Sequence, residues 1–246
     1  MAYVWQRWLA AEFRAAGLTV IEIEGWQNRG RPASTGNYDP RHGVTNHHTG
    51  ATSSPNNPGP TLRTLIVGRP DLPGPLSPWS VRHDGVVIVI AAGRCNHAGQ
   101  VGKRVPFAVL GADGNALFMG DEVDTNGTQH LPAAQRHSIA VTNRVYLDHF
   151  KLPVDRVHRH ADISGTGKWD IGNLTTDQLR ADARTLTRPE EDFDMDKNEA
   201  KALFREVLRE ELGTDKDDKN GKVDLGDGKA RSVAQILKEL WQQRNQ

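Results

Sequence analysis

The sequence predicts an α/β protein in which helical and strand patterns alternate over the first 188 residues. Apolar residues near the N-terminus recur at helical spacing, residues 18–23 (LTVIEI) alternate as in a strand, and Asp84-Gly85 separates two strand-like runs. The chain of 246 residues is long enough to bury a core without covalent links. Its single cysteine, Cys95, excludes an intrachain disulfide.

The elements of the N-terminal half follow from these local patterns. Trp5, Trp8 and Phe13 share one face of a predicted helix over residues 5–16, and Gly17 is a typical residue to end it. The further expected elements are a strand over 18–23, a loop over 28–38, a strand over 42–49, a loop over 51–60 and a helical or extended segment over 61–67.

The second half opens with a predicted β-hairpin, in which Asp84-Gly85 joins strands over 79–83 and 86–91. Both central residues of such a tight turn take positive φ, which Asp and Gly tolerate. The further expected elements are one or two strands over 107–123 with a turn at 112–115, a helix over 132–150 with Pro132 near its start, a strand over 154–160, a Gly-rich loop and a helix over 174–186.

Residues 189–246 form a predicted second region, a small helical C-terminal extension. It contains 15 acidic and 11 basic side chains, and residues 199–212 and 232–241 have helical periodicity. The polar segment 214–229 indicates a solvated linker rather than an EF-hand, because Gly221 falls one place late and the twelfth position lacks Glu. Self-association and a solubilising role both remain open as the function of this extension.

Composition excludes several classes of function. Lys and Arg balance Asp and Glu at 31 each, which argues against a nucleic-acid partner. No run approaches the roughly 18 apolar residues of a membrane span, so we expect no membrane insertion. The N-terminus lacks the features of a signal peptide. We therefore expect that, if the protein acts outside the cell that makes it, something other than a signal peptide releases it.

Two imidazoles and one carboxylate stand out as candidate metal ligands. His47 lies near the end of a predicted strand, and His160 is followed ten residues later by Asp170. This donor set suits one Zn²⁺ ion, and three protein ligands leave the fourth position open for water, as in catalytic sites. Spacing alone does not single them out, because such separations also occur by chance.

The segment HRHADISGTGKWDIGN resembles the C-terminal motif of the type 2 N-acetylmuramoyl-L-alanine amidases. The matching positions are His160, Asp162, Lys168, Asp170 and Gly172. TNHHTG resembles the family's first metal motif, and GRCNHAG (Gly93–Gly99) resembles its HAG loop. Gly120-Asp121-Glu122 stands where the family has Gly-Ile-Glu. The matching motifs occur in the family's order, and the resemblance covers about residues 1–188. The sequence resembles in particular those of actinobacterial phage endolysins.

The resemblance implies a central mixed β-sheet flanked by helices and a role for each matched residue. His47, His160 and Asp170 would bind zinc, with His48 as the alternative to His47. The remaining implied roles are a general base for Glu122, oxyanion stabilisation for Lys168 and substrate contacts for His97 and Trp169. Asp121 occupies a usually apolar position, so Asp121 and Asp124 remain alternative bases.

The implied function is zinc-dependent hydrolysis of the amide between N-acetylmuramic acid and L-Ala of peptidoglycan, in a phage endolysin that lyses its host. The alternatives are a non-catalytic peptidoglycan-binding module of the same fold, a zinc peptidase that cuts the stem peptide, and a bacterial recycling or autolytic amidase. The expected partner is bacterial peptidoglycan, with cell-wall binding as a further open function of the C-terminal extension, and the oligomeric state stays open. The expected location is the host cytoplasm until the protein is released to the cell wall.

Overall fold

The computed structural model describes residues 3–103, 105, 108–186, 222–224 and 230–232. The chain divides into two compact units, residues 1–186 and residues 187–246, and each is described by itself.

A single mixed β-sheet forms the centre of the first unit. Its strands are β1 (Val20–Glu22), β2 (Gly43–His48), β5 (Trp79–Val81), β6 (Val87–Val89), β7 (Phe118–Val123) and β8 (Val157–Arg159). They lie in the order β1-β6-β5-β7-β2-β8, and every neighbouring pair is parallel except the β5–β6 hairpin. Two shorter strands, β3 (Gly68–Arg69) and β4 (Leu72–Pro73), form a separate antiparallel pair.

Helices flank this sheet, as the predicted fold class requires, and the prediction is confirmed. They are α1 (Leu9–Ala15), α2 (Leu62–Val67), α3 (Gly114–Leu117), α4 (Ala133–Phe150), α5 (His160–Ile163) and α6 (Thr176–Thr185). Pro132 is the N-cap of α4, and Thr175 caps α6 by accepting a hydrogen bond from the Gln178 backbone N–H. None of the described helices combines the length and the apolar character that crossing a membrane requires.

The two faces of the sheet differ because side chains alternate along each strand. One face carries Val44, Trp79, Val81 and Met119, which are fully buried in one core with Phe13 of α1 and other apolar side chains of the helices. The other face carries Thr45, His47, Ser80 and Glu122, the last three of which lie side by side in register. The helical layer thus stabilises the sheet, while the opposite face presents these polar side chains together with Ile88 and Phe118, which belong to two smaller apolar clusters.

Helix α1 begins four residues later than predicted. The Gln6 backbone N–H donates to the Ala92 carbonyl, and the Gln6 amide donates to the Val4 carbonyl, so this segment bonds to another part of the chain instead of continuing the helix. Gly17, with φ of +87°, follows the C-cap of the helix in the predicted left-handed conformation.

Two further local predictions need correction. Only Gly85 has positive φ in the hairpin turn, and Arg82 N–H donates to the Val86 carbonyl across a three-residue loop, as in a type I turn with a glycine bulge. The strand predicted over 154–160 forms only at Val157–Arg159. His160 instead begins helix α5, because the Asp162 carboxylate accepts the Arg159 backbone N–H at 3.0 Å and turns the chain.

In the second unit the structure describes two strands, β9 (Lys222–Asp224) and β10 (Ala230–Ser232), which pair antiparallel. β9 lies within the linker predicted over 214–229, and Ser232, the first residue of the helix predicted over 232–241, belongs to β10. The helical character of the rest of the extension stays a prediction. The helix predicted over 199–212, and residues 233–241 of the helix predicted over 232–241, lie outside the described residues.

Candidate active site

His47, His160 and Asp170 converge beside the polar face of the sheet. One donor atom from each lies within 4.8 Å of the others. The Nδ1 atoms of His47 and His160 lie 3.1 and 2.9 Å from the same oxygen, Asp170 Oδ2. All three residues are buried, with His47 only 1% exposed. Residues separated by up to 123 positions in the sequence therefore present three donors to one point.

Different elements position the three side chains. His47 belongs to β2, a buried strand that pairs with β7 on one side and with the edge strand β8 on the other. His160 is the first residue of α5, immediately after β8, where Asp162 fixes the corner through hydrogen bonds with Arg159. Asp170 is tied to the same corner because its carbonyl accepts the Ala161 backbone N–H at 2.7 Å. Asp162 thus has a structural function at this site.

The outer nitrogens of both imidazoles also have partners. His47 Nε2 lies 3.1 Å from His97 Nδ1, and His160 Nε2 lies 3.3 Å from the Ala98 carbonyl oxygen. His97 approaches the sheet closely because residue 120 is glycine: a Cβ there would stand 2.7 Å from His97 Nδ1. Such outer contacts orient metal-binding imidazoles and select their tautomers.

Strand register separates the three candidate carboxylates. Glu122 pairs with His47 and lines the same cavity, so its side chain is on the polar face. Asp121 pairs with Asn46, which places its side chain on the helix-covered face. Asp124 turns away as well, since it accepts a hydrogen bond from the Thr61 hydroxyl at 2.6 Å. Glu122 is the carboxylate of the three that lies beside the candidate metal ligands.

The cavity above these groups has a volume of about 990 Å³. Lys168 and Trp169 lie at its rim, where both are exposed, and His97 lies deeper. Trp169 packs against His48 with a ring separation of 4.4 Å and is still 52% exposed. His48 Nδ1 accepts the Gly172 backbone N–H, so this histidine supports the rim rather than joining the three donors.

The protonation states of His47 and Asp170 suit a cation. Burial, together with the neighbouring His160, lowers the pKa of His47 to about 4, so its imidazole is neutral at pH 7. Burial also acts to raise the pKa of Asp170, but hydrogen bonds from His160 and His47 outweigh it and lower that pKa below its ordinary value. Zinc requires neutral imidazole and ionised carboxylate.

The spacing of the donors fits the same ion. Tetrahedral zinc bonds of about 2.0–2.1 Å separate neighbouring ligand atoms by roughly 3.4 Å. The separations of 2.9 and 3.1 Å between Asp170 Oδ2 and the two Nδ1 atoms are close to this value. Both the chemistry and the arrangement of these residues are therefore compatible with zinc.

Sequence patterns did not reveal three contributors to this site. The Ala98 carbonyl acts through its backbone position, which no side-chain motif signals. Asn115 accepts hydrogen bonds from the loop that contains His97, whereas the sequence predicts only a turn at this position. Helix α2 and the β3–β4 pair supply one wall of the cavity, including Thr64 and Arg69, because tertiary packing brings them there.

One open cavity beside a mixed sheet thus contains two buried imidazoles, the carboxylates of Asp170 and Glu122, and Lys168 at its rim. Together these groups define a candidate hydrolase site. The model of the N-acetylmuramoyl-L-alanine amidase family matches residues 37–173, which is more than half of the chain. The chain belongs to this family. The matched range contains all of the candidate site residues.

Solved structures of amidases resemble this chain at low sequence identity. A crystal structure of an AmpD derivative is 18% identical, covers 67% of this chain and 93% of its own, and has a TM-score of 0.47. The catalytic domain of XlyA is 18% identical over 68% of this chain and 99% of its own, with a TM-score of 0.47. The endolysin amidase LysCS from Clostridium intestinale is 20% identical over 68% and 95%, with a TM-score of 0.44. No curated protein sequence matches this chain.

Proposed function

We propose that this chain is a zinc-dependent amidase that hydrolyses the bond between the lactyl group of N-acetylmuramic acid and the first L-Ala of the peptidoglycan stem peptide. The observation that carries the proposal is the convergence of His47, His160 and Asp170 beneath an open cavity in a chain of the amidase family. These three residues would hold one zinc ion. When bound, zinc would polarise the scissile carbonyl and lower the pKa of a water molecule.

Glu122 is the proposed general base. Its register partner is His47, so its carboxylate faces the space in which water would approach the carbonyl carbon. Burial, reinforced by the nearby Asp170 and other carboxylates, raises the pKa of Glu122 well above its ordinary value. A carboxylate of raised pKa accepts a proton from water more readily, and can then deliver it to the departing amine.

Lys168 is proposed to stabilise the negative charge that develops on the carbonyl oxygen. Its side chain belongs to the same loop as Asp170 and lines the same cavity. An ammonium group near the developing oxyanion stabilises the transition state more than the ground state. Trp169 and His97 also line the cavity and are proposed to contact the sugar or the stem peptide.

Product analysis of digested cell walls tests the chemistry. The proposal expects new N-terminal L-Ala and free lactyl carboxyl groups in equal amounts. New reducing sugars would identify a glycosidase, and new N-termini inside the stem peptide would identify a peptidase; either result would refute the assignment. A protein that binds peptidoglycan without releasing products would be the non-catalytic module. His47, His160, Asp170 and Glu122 are all in place at the cavity, which favours catalysis over binding alone.

A role in host lysis at the end of a phage cycle is the biological part of the proposal. Its support is the resemblance of residues 1–188 to actinobacterial phage endolysins. A lytic enzyme should clear a suspension of intact sacculi at concentrations at which it also cleaves soluble muropeptides. Cleavage confined to soluble fragments would instead indicate a recycling amidase.

A further inference from the structure

The carboxamide of Asn115 lies at a point where three backbone N–H groups converge. Its Oδ1 atom accepts hydrogen bonds from His97, Ala98 and Gly99, at 2.8, 2.8 and 3.2 Å. Gly99 has φ of +60°, the left-handed conformation. Successive N–H groups that point to one side of a turn form a concave site for an acceptor, and here a side chain of the same protein fills it.

The turn held by Asn115 contacts both candidate zinc-binding histidines. His97 Nδ1 lies 3.1 Å from His47 Nε2, and the Ala98 carbonyl lies 3.3 Å from His160 Nε2. These are the imidazole nitrogens that face away from Asp170. A displacement of this one turn would therefore remove the orienting partner of both imidazoles at once.

Further hydrogen bonds fix the position of Asn115 itself. Its backbone N–H donates to Asp113 Oδ1 at 3.1 Å, and Asp113 Oδ2 accepts the Arg94 guanidinium at 2.5 Å. Arg94 is only 6% exposed and donates further to the Thr35 carbonyl. The Gly114 N–H also bonds to the Gly99 carbonyl at 2.7 Å, so the turn and Asn115 are fixed relative to each other.

We propose that Asn115 is a positioning residue: through the His97–Gly99 turn it holds the His47 and His160 imidazoles in the orientation that binds zinc. The proposal rests on the zinc amidase function proposed above. Contacts of this kind, which lie one shell outside the ligands, typically change metal affinity by about 10–100-fold when removed.

The experiment measures the zinc affinity of the full chain by competition with a chromophoric chelator, starting from metal-free protein. Asn115→Leu keeps the approximate size of the side chain but removes the acceptor, and its zinc Kd should rise by about 10–100-fold. Asn115→Asp retains an oxygen that accepts the same three N–H groups, so it should restore most of the affinity. Should Asn115→Leu fail to fold by circular dichroism, Asn115→Ser, which cannot reach the turn, carries the same prediction.

Gln135→Leu is the matched control. Gln135 is a fully buried carboxamide that donates to the Val81 and Asp124 carbonyls, at 3.2 and 3.0 Å, on the helix-covered side of the sheet. This variant should lose stability and keep the zinc Kd of the wild type.

Three results are decisive. A folded Asn115→Leu or Asn115→Ser variant with wild-type affinity would overturn the positioning role while leaving the zinc site intact. Equal loss of affinity in Gln135→Leu would also overturn it, because general destabilisation would then explain the effect. A wild-type protein that binds no zinc would refute the proposed function itself, so the two failures are distinguishable.

Discussion

Replacement of His160 by Ala is expected to abolish zinc binding and, with it, hydrolysis of peptidoglycan. His160 is 5% exposed, and its Nδ1 lies 2.9 Å from Asp170 Oδ2, so the change leaves only His47 and Asp170 as donors in the cluster. Two donors do not complete the three-ligand set that catalytic zinc sites use. The metal-free variant should also lose some stability, because Asp170 then keeps one of its two imidazole hydrogen bonds.

The size of the effect follows from linkage between metal binding and folding. A ligand present at about 1,000 times its Kd stabilises the folded state by about 4 kcal/mol. For a cooperative unit of about 150–250 residues, 1 kcal/mol shifts Tm by about 2–4 °C, so zinc should raise the wild-type Tm by roughly 8–16 °C. His160→Ala should show almost none of this shift. His137→Ala, which removes an exposed imidazole from α4, should show all of it.

The assay is differential scanning calorimetry of metal-free and zinc-loaded protein, accompanied by product release from cell walls. Metal analysis of the wild type should give one zinc per chain. Identical zinc-induced shifts in the wild type and in His160→Ala would contradict the assigned ligand set. Full activity in a metal-free sample would contradict the zinc mechanism as a whole.

Three further predictions concern single side chains. Glu122→Gln should keep zinc and lose most turnover, whereas Asp121→Asn, on the other face of the sheet, should remain active. The measurement is kcat on soluble muropeptide, and the reverse outcome would identify Asp121 as the general base. Gly120→Ala should lower both stability and zinc affinity, because its Cβ would stand 2.7 Å from His97 Nδ1 and from the Thr45 carbonyl; an unchanged Tm and Kd would contradict this packing. Asp124→Asn should alter the pH dependence of stability. Burial raises the pKa of Asp124 to about 6, above its unfolded value, so the wild type loses up to about 3 kcal/mol as pH rises from about 4 to above 6. The free energy of unfolding of both proteins, measured in urea at about pH 4 and about pH 7, should become larger for the variant relative to the wild type at the higher pH. An equal difference at both pH values would contradict a raised pKa of Asp124.

Local patterns were sufficient to predict most of the regular elements. The helix over 132–150 and the strand containing His47 follow from periodicity, and Pro132 and Gly17 lie where helix ends favour them. These features depend on interactions between residues a few positions apart, and the periodic spacing of apolar residues reflects such local interactions. The late start of α1 was missed because a distant carbonyl, Ala92, binds the Gln6 N–H.

The identity of the candidate ligands came from motif resemblance, since neither spacing nor composition singles out His47, His160 and Asp170. Their convergence is a property of the tertiary structure: parallel pairing of β2 with β7 sets His47 beside Glu122, and the corner after β8 brings His160 to the same point. A shift of one residue in that pairing would turn the other face of β7 to the site and place Asp121 there instead. Strand register is decided by long-range packing and pairing. For that reason the position of each carboxylate relative to the candidate ligands, and the contacts of Asn115 with the His97–Gly99 turn, required the folded chain.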